Sequence, residues 1–172
     1  MVSALLDEVQ DCEPGDERID ELAPQIAREL TAHATLEEKL FYPQLRDRAE
    51  EADERVDVFE AYTEHDVVKH LLSLLQSRRK RDELFKAELQ VLGESVRHHV
   101  EEEESTIFAL ARDLLEPDEL EEIGEKWQRA KARLTSAASS NGRRTSARKR
   151  TSSVRGGRSK ASGGRKKTAR KR

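Results

Sequence analysis

The stretch LTAHATLEEKLFYPQL, residues 30–45, sets His33 four residues ahead of Glu37, with Glu38 beside it and Phe41-Tyr42-Pro43 behind. A second stretch, HHVEEEESTIFAL at residues 98–110, repeats the pattern. His33 and His99, Glu37 and Glu103, and Glu38 and Glu104 are each 66 residues apart, and the pair Phe41-Tyr42 is echoed by Ile107-Phe108. An isolated acidic run is usually a solvated helix face, and a lone core-facing histidine is usually just hydrogen-bonded. Charged-residue bias alone does not hold four features in register.

The surroundings of both copies are helical. Apolar residues recur at the 3–4 spacing of bundle helices, and the expected all-α fold is an antiparallel up-down four-helix bundle with a short fifth helix. A first short helix carries Val2, Leu5, Leu6 and Val9 and ends at the Cys-Glu-Pro-Gly of residues 12–15. The second runs from about 17–20 to 46, the third over 52–77, and the fourth from a cap at Asp82 to 115. Pro117 opens the fifth, with acids in its first turn. The predicted division is a bundle over residues 1–115, a C-terminal helix over 116–134 and a basic tail over 135–172.

Three stripes matter most. They are Ile26, Leu30, His33, Glu37 and Leu40; Val58, Ala61, His65, Val68, Leu72 and Leu75; and Leu89, Leu92, Val96, His99, Glu103 and Leu110. Each is apolar except for His or His plus Glu, so these polar groups face the core, where an unpaired one is costly. His33 to His65 is 32 residues and His65 to His99 is 34. With short turns, those intervals bring the three histidines to one depth. Histidine and carboxylate at i and i+4 share a helix face, and the mixed nitrogen and oxygen set suits iron, with manganese and zinc as alternatives. His70 is turned about 140° from His65 on an ideal helix and His98 about 100° from His99, so both are expected at the rim. Glu38 and Glu104 are candidate partners of the ligands.

Composition divides the chain. Residues 135–172 hold 14 Lys/Arg and no acid; subtracting from 32 basic and 35 acidic residues leaves 18 and 35 in residues 1–134, a net of −17. The tail is rich in Ser, Gly, Arg and Lys without an apolar stripe, and is expected to be disordered. It is also a candidate for sequence-independent nucleic-acid contact. Cys12 is the single cysteine, which excludes an intrachain disulfide and fits an intracellular setting. No apolar run has the length of a membrane span and no signal-like core follows Met1; the expected location is cytoplasmic, with no membrane partner.

With these residues in view, the chain resembles the hemerythrin-like, HHE cation-binding family. HATLEEKLFYPQL (33–45), EHDVVKHLL (64–72) and HHVEEEESTIFAL (98–110) carry the resemblance, and ELEEIGEKWQRAKARL (119–134) is similar to the helix that follows the bundle in many bacterial members. The resemblance implies a non-haem, usually di-iron, centre with His33, His65 and His99 as terminal ligands and Glu37 and Glu103 bridging. It implies a protein that binds, senses or detoxifies dioxygen, peroxide or nitric oxide, or handles iron. Peroxide decomposition is the activity this allows; no nucleophile triad or phosphate loop is visible, and no organic substrate is expected. The alternative is a metal-poor helical interaction protein whose basic tail binds nucleic acid. Two features depart from the family pattern: Phe108-Ala109 stands where Phe-Pro is common, and helix one offers no histidine. Extending its stripe back one turn places that ligand about three residues before Val2, so it is expected upstream of Met1; otherwise the site has five ligands, with mono-iron binding.

Overall fold

The computed structural model describes the backbone over residues 2–152 and side chains as far as residue 134. Its helices are α1 (Val2–Gln10), α2 (Ile19–Leu36), α3 (Tyr42–Arg46), α4 (Ala52–Ser77), α5 (Glu83–Glu102), α6 (Phe108–Leu114) and α7 (Pro117–Ser152). Two π-helical turns, Glu37–Phe41 and Glu103–Ile107, join α2 to α3 and α5 to α6. The bundle therefore has four arms: α1, α2–α3, α4 and α5–α6. No strand occurs among the described residues, and none of their helices is long and apolar enough to cross a membrane.

Local chemistry sets the helix ends. The Asp82 carboxylate accepts a hydrogen bond from the Phe85 amide at 3.2 Å, satisfying one of the free donors of the first turn of α5. Glu51 and Glu54 form a reciprocal capping box at the start of α4. Gly15, at φ 88°, makes the turn between α1 and α2 in a region that favours glycine. A Cβ on Gly93 would fall 2.1 Å from Gln10 Nε2, so the end of the Gln10 side chain of α1 occupies the space beside this glycine of α5.

Two apolar clusters form, one at each end. The first includes Leu6, Val9, Ile26, Leu72, Phe85 and Leu92; the second includes Phe41, Tyr42, Leu45, Val58, Ile107 and Leu110, with Leu120 and Ile123 of α7 packed on it. Each fully buried aliphatic or aromatic side chain contributes about 1.5–3 kcal/mol. Four polar residues are buried among the described residues, namely Glu37, His65, His99 and Glu103.

Beyond residue 134 the structure departs from the sequence expectation. The compact unit holding the bundle ends at Leu134, yet the α7 backbone remains helical to Ser152. The apolar pattern stops at Leu134. Residues 153–172, the remainder of the expected tail, lie outside the described residues.

Candidate metal centre

The two π turns start on the two buried glutamates. In each, the amide five residues on, Tyr42 or Phe108, bonds back to the carbonyl of Glu37 or Glu103. Such single-turn insertions are frequent at functional sites. Pro43 follows the first turn and cannot donate to the preceding turn, but Ala109 occupies the equivalent place after the second. Proline is therefore not what creates the insertion. Its effect is to alter the stripe beyond each glutamate. Phe41 and Ile107 are both buried, but Tyr42 is fully buried whereas its counterpart Phe108 is 38% exposed, so the apolar echo seen in the sequence survives in the packing at its first position only.

His33, Glu37, His99 and Glu103 each offer a ligand atom, and these atoms lie within 4.8 Å of one another. His65 adjoins them. Its Nε2 is 3.1 Å from His99 Nε2 and 3.2 Å from Glu37 Oε2. His33 is half-buried and its Nε2 is 2.9 Å from Glu37 Oε1. All five residues selected from the sequence thus converge. His70 and His98 are exposed, as their angular offsets predict.

Two outer carboxylates orient the inner rings. His65 Nδ1 is 2.9 Å from Glu38 Oε1, which also receives Lys69 Nζ at 2.6 Å. His99 Nδ1 is 2.8 Å from Glu64 Oε2. A carboxylate accepts only, so in each ring Nδ1 carries the proton donated to it, and Nε2 is the nitrogen turned to the interior. The same pattern runs through the helices: Glu38, next to Glu37 on the α2 side, holds His65 of α4, and Glu64, next to His65, holds His99 of α5. Glu104 is exposed and has no equivalent part.

Tyr42 and Glu64 were not recognisable as site residues from the stripes. Tyr42 reads as half of an apolar pair, yet its hydroxyl donates to Glu103 Oε1 at 3.3 Å and lies 3.5 Å from His65 Nε2. Burial and the nearby Glu37 and Glu103 carboxylates raise its pKa. Glu64 faces the neighbouring helix, so no pattern within α4 reveals it.

The donor set is electron-rich at its centre. His65 Nε2 lies 3.2 Å from Glu37 Oε2, which is buried without a hydrogen-bond partner, and 3.1 Å from His99 Nε2. Burial pushes His99 down from its ordinary value, so it is held neutral. For Glu37, burial acts upward but the hydrogen bond from His33 and the proximity of His65 override it, bringing the carboxyl to about 2. Glu103 goes the other way, to about 8, through burial first and the adjacent Glu37 carboxylate second. Two acids so close share one proton. A hard or borderline cation satisfies the same lone pairs, so the residues present fit a metal.

Among the described residues, three cavities border this centre, the smallest, about 60 Å³, beside Glu64, His99 and Glu103; the other two are larger. One of about 390 Å³ lies against α7 and has Glu37 and Glu103 among its lining residues. The other, about 270 Å³, touches His33, His65 and His99 and opens beside Val2 and Ser3 of α1. Trp127 borders both and stands edge-on to His33, with ring centroids 5.6 Å apart.

Comparison with known proteins follows the same lines. The family profile described as Hemerythrin HHE cation binding domain matches residues 1–111. A curated relative from Nostoc sp. strain PCC 7120, named DNA nickase, is 33% identical over 118 residues, 69% of this chain but 32% of the relative; the chain thus spans about a third of that protein. A crystal structure of a hemerythrin HHE cation binding domain-containing protein, from Mycobacterium kansasii, superimposes with a TM-score of 0.66. It is 24% identical, and the match covers 80% of this chain and 82% of that one; that likeness concerns the fold.

The shared proton gives the metal-free chain a characteristic pH dependence. Glu103 has a folded pKa above its unfolded value of 4.5, so its contribution is full below about 4.5 and lost as pH rises through about 8. Glu37, lowered, contributes above 4.5 and loses that contribution as pH falls towards about 2. In urea unfolding of chelator-treated protein, the stability difference between wild type and Glu103→Gln should shift against the wild type between pH 5 and pH 8. A difference constant across that range contradicts the shared proton.

Proposed function

We propose, for a chain that belongs to the hemerythrin HHE cation-binding family, that residues His33, Glu37, His65, His99 and Glu103 bind iron. The bound metal would serve to bind, sense or detoxify dioxygen, peroxide or nitric oxide, or to handle iron itself. The observation that carries this reading is the convergence of four ligand atoms within 4.8 Å inside the protein core. When bound, the metal supplies redox chemistry and open coordination positions for a small ligand.

The chain's own residues do the remaining work. His33, His65 and His99 supply neutral nitrogen donors, while Glu37 and Glu103, from facing arms, supply carboxylates suited to bridging. Glu38 and Glu64 fix the ring orientations, and Tyr42 offers the only hydroxyl hydrogen bond recorded to Glu103 among the described residues. The apolar clusters on either side limit water. A site of five protein donors accommodates one iron readily; a second would draw on a ligand at the depth of Val2 and Ser3, where the cavity beside α1 meets the histidines.

Replacing His33 or His99 with Ala should remove most bound iron, while His70→Ala leaves the content at the wild-type level. Glu64→Ala, which frees His99 without removing a donor, should weaken affinity about 10–100-fold. Competition with a chromophoric chelator measures all four, and affinity should fall with pH because the histidines must be neutral to ligate. Equal retention of iron by every variant would overturn the assignment.

A second reading, compatible with the first, concerns nucleic acid. Its support is the run of 14 basic residues without an acid over residues 135–172 and the name of the Nostoc relative, a DNA nickase. The segment has no aromatic residue, so contact would be with phosphates, weak, sequence-independent and steeply salt-dependent. In a salt-titrated binding assay, the full chain should bind duplex DNA at low salt and residues 1–134 should not. Indistinguishable behaviour of the two would exclude this role.

A further inference from the structure

The cavity against α7 is much larger than a diatomic ligand or peroxide requires. At about 390 Å³ it falls within the range of sites for small organic molecules, roughly 300–1,000 Å³, which are mainly apolar with a few placed polar groups. Its walls fit that description. Phe41 and Phe108 stand at 53° with centroids 6.1 Å apart, and Leu120, Ile123 and Trp127 of α7 close the opposite side. Gly124 also borders the cavity, and a Cβ built there meets nothing within 4 Å.

Polar groups occur at two ends only. Inside are Glu37 and Glu103, each at least 95% buried, with the half-buried His33 beside them, its Nε2 2.9 Å from Glu37 Oε1; Glu37 Oε2 has no hydrogen-bond partner. At the outer edge is Arg112, exposed and making no hydrogen bond or ion pair with another described residue. From acceptors at the floor, aromatic walls and a cation at the rim, we infer that this cavity binds a single-ring aromatic molecule carrying a hydroxyl at one end and a carboxylate at the other. The hydroxyl donates to the buried glutamates, the ring lies among Phe108, Ile123 and Trp127, and the carboxylate meets Arg112. An acid at the inner end is disfavoured by the two carboxyls already there. This inference rests on the iron reading in one respect: Glu37 and Glu103, which meet the hydroxyl, are also the carboxylates proposed as metal ligands.

Trp127 is the only tryptophan of the chain, so its fluorescence reports occupancy directly. The full-length protein as purified, with iron measured in the same sample, is titrated with 4-hydroxyphenylacetate, phenylacetate and 4-ethylphenol. The first should give a saturable change. Phenylacetate, lacking the hydroxyl, should bind about tenfold more weakly, as loss of a hydrogen bond to a charged group implies. The ethylphenol, lacking the acid, should bind about threefold more weakly, since an exposed ion pair contributes little. Arg112→Gln should weaken 4-hydroxyphenylacetate to the level of 4-ethylphenol and leave 4-ethylphenol unchanged. Phe108→Ala, at a partly exposed position, should weaken all three. No saturable change at millimolar concentration, equal binding with and without the hydroxyl, or an equal effect of Arg112→Gln on both phenols would overturn the inference. Because iron content is read separately, failure of this site and failure of the metal assignment are distinguishable.

Discussion

Burying two carboxyl groups and two imidazoles together is the constraint from which the rest of this structure follows. An uncompensated buried charge costs several kcal/mol, comparable with a substantial part of a domain's whole stability. Glu37, His65, His99 and Glu103 are all at most 5% exposed, so the compensation must be local. It comes from Glu38 and Glu64, which take the outward protons of the two rings, from Tyr42 against Glu103, and from a proton shared by the acids. Two buried oxygens are left without a hydrogen bond, Glu64 Oε1 and Glu37 Oε2, and the second, 3.2 Å from His65 Nε2, has lone pairs that a cation would satisfy. A purely structural polar layer would leave no such hollow.

The arrangement also accounts for the irregular geometry. Each π turn starts on a buried glutamate, and each returns the chain to α-helix within five residues. The insertion changes which residues beyond the glutamate face inward. On the α2 side it puts the Tyr42 phenol over Glu103 and His65; on the α5 side it turns Phe108 out towards the cavity under α7. The same device, used twice, thus yields a hydrogen-bond donor on one side and a pocket wall on the other. α7 then covers the second apolar cluster through Leu120 and Ile123, fastened at its start by Arg48 and Glu119 at 2.6 Å, an exposed pair contributing at most about 1 kcal/mol. Membership of the hemerythrin HHE family explains the bundle; the cavity beneath α7 is made by this chain's own side chains.

Much of this was legible in the sequence because helical periodicity is a long-range signal. Every member of the α4 stripe from Val58 to Leu75 is buried, as is every member of the α5 stripe from Leu89 to Leu110. Near-equal spacing of His33, His65 and His99 placed them at one level. Periodicity on one helix does not, however, tell what its other faces touch. Glu64 lies one residue from His65 and reaches across to a different helix, so its part in the site depends on packing. Tyr42 was hidden by an assumption of unbroken α-helix, which a π turn breaks without any proline or glycine signal. Along α7, the backbone is helical past Leu134, where the apolar pattern on which the expected boundary rested has ended.

The central claim is that the buried layer exists to hold a metal. The most direct measurement is the iron content per chain of untagged protein, purified without added metal, together with its near-ultraviolet absorption. The account predicts close to one iron or more per chain, absorption from nitrogen- and oxygen-bound ferric iron, and loss of both on prolonged chelation. Protein with no bound iron, unable to take it up from ferrous salt under anaerobic conditions, would contradict it.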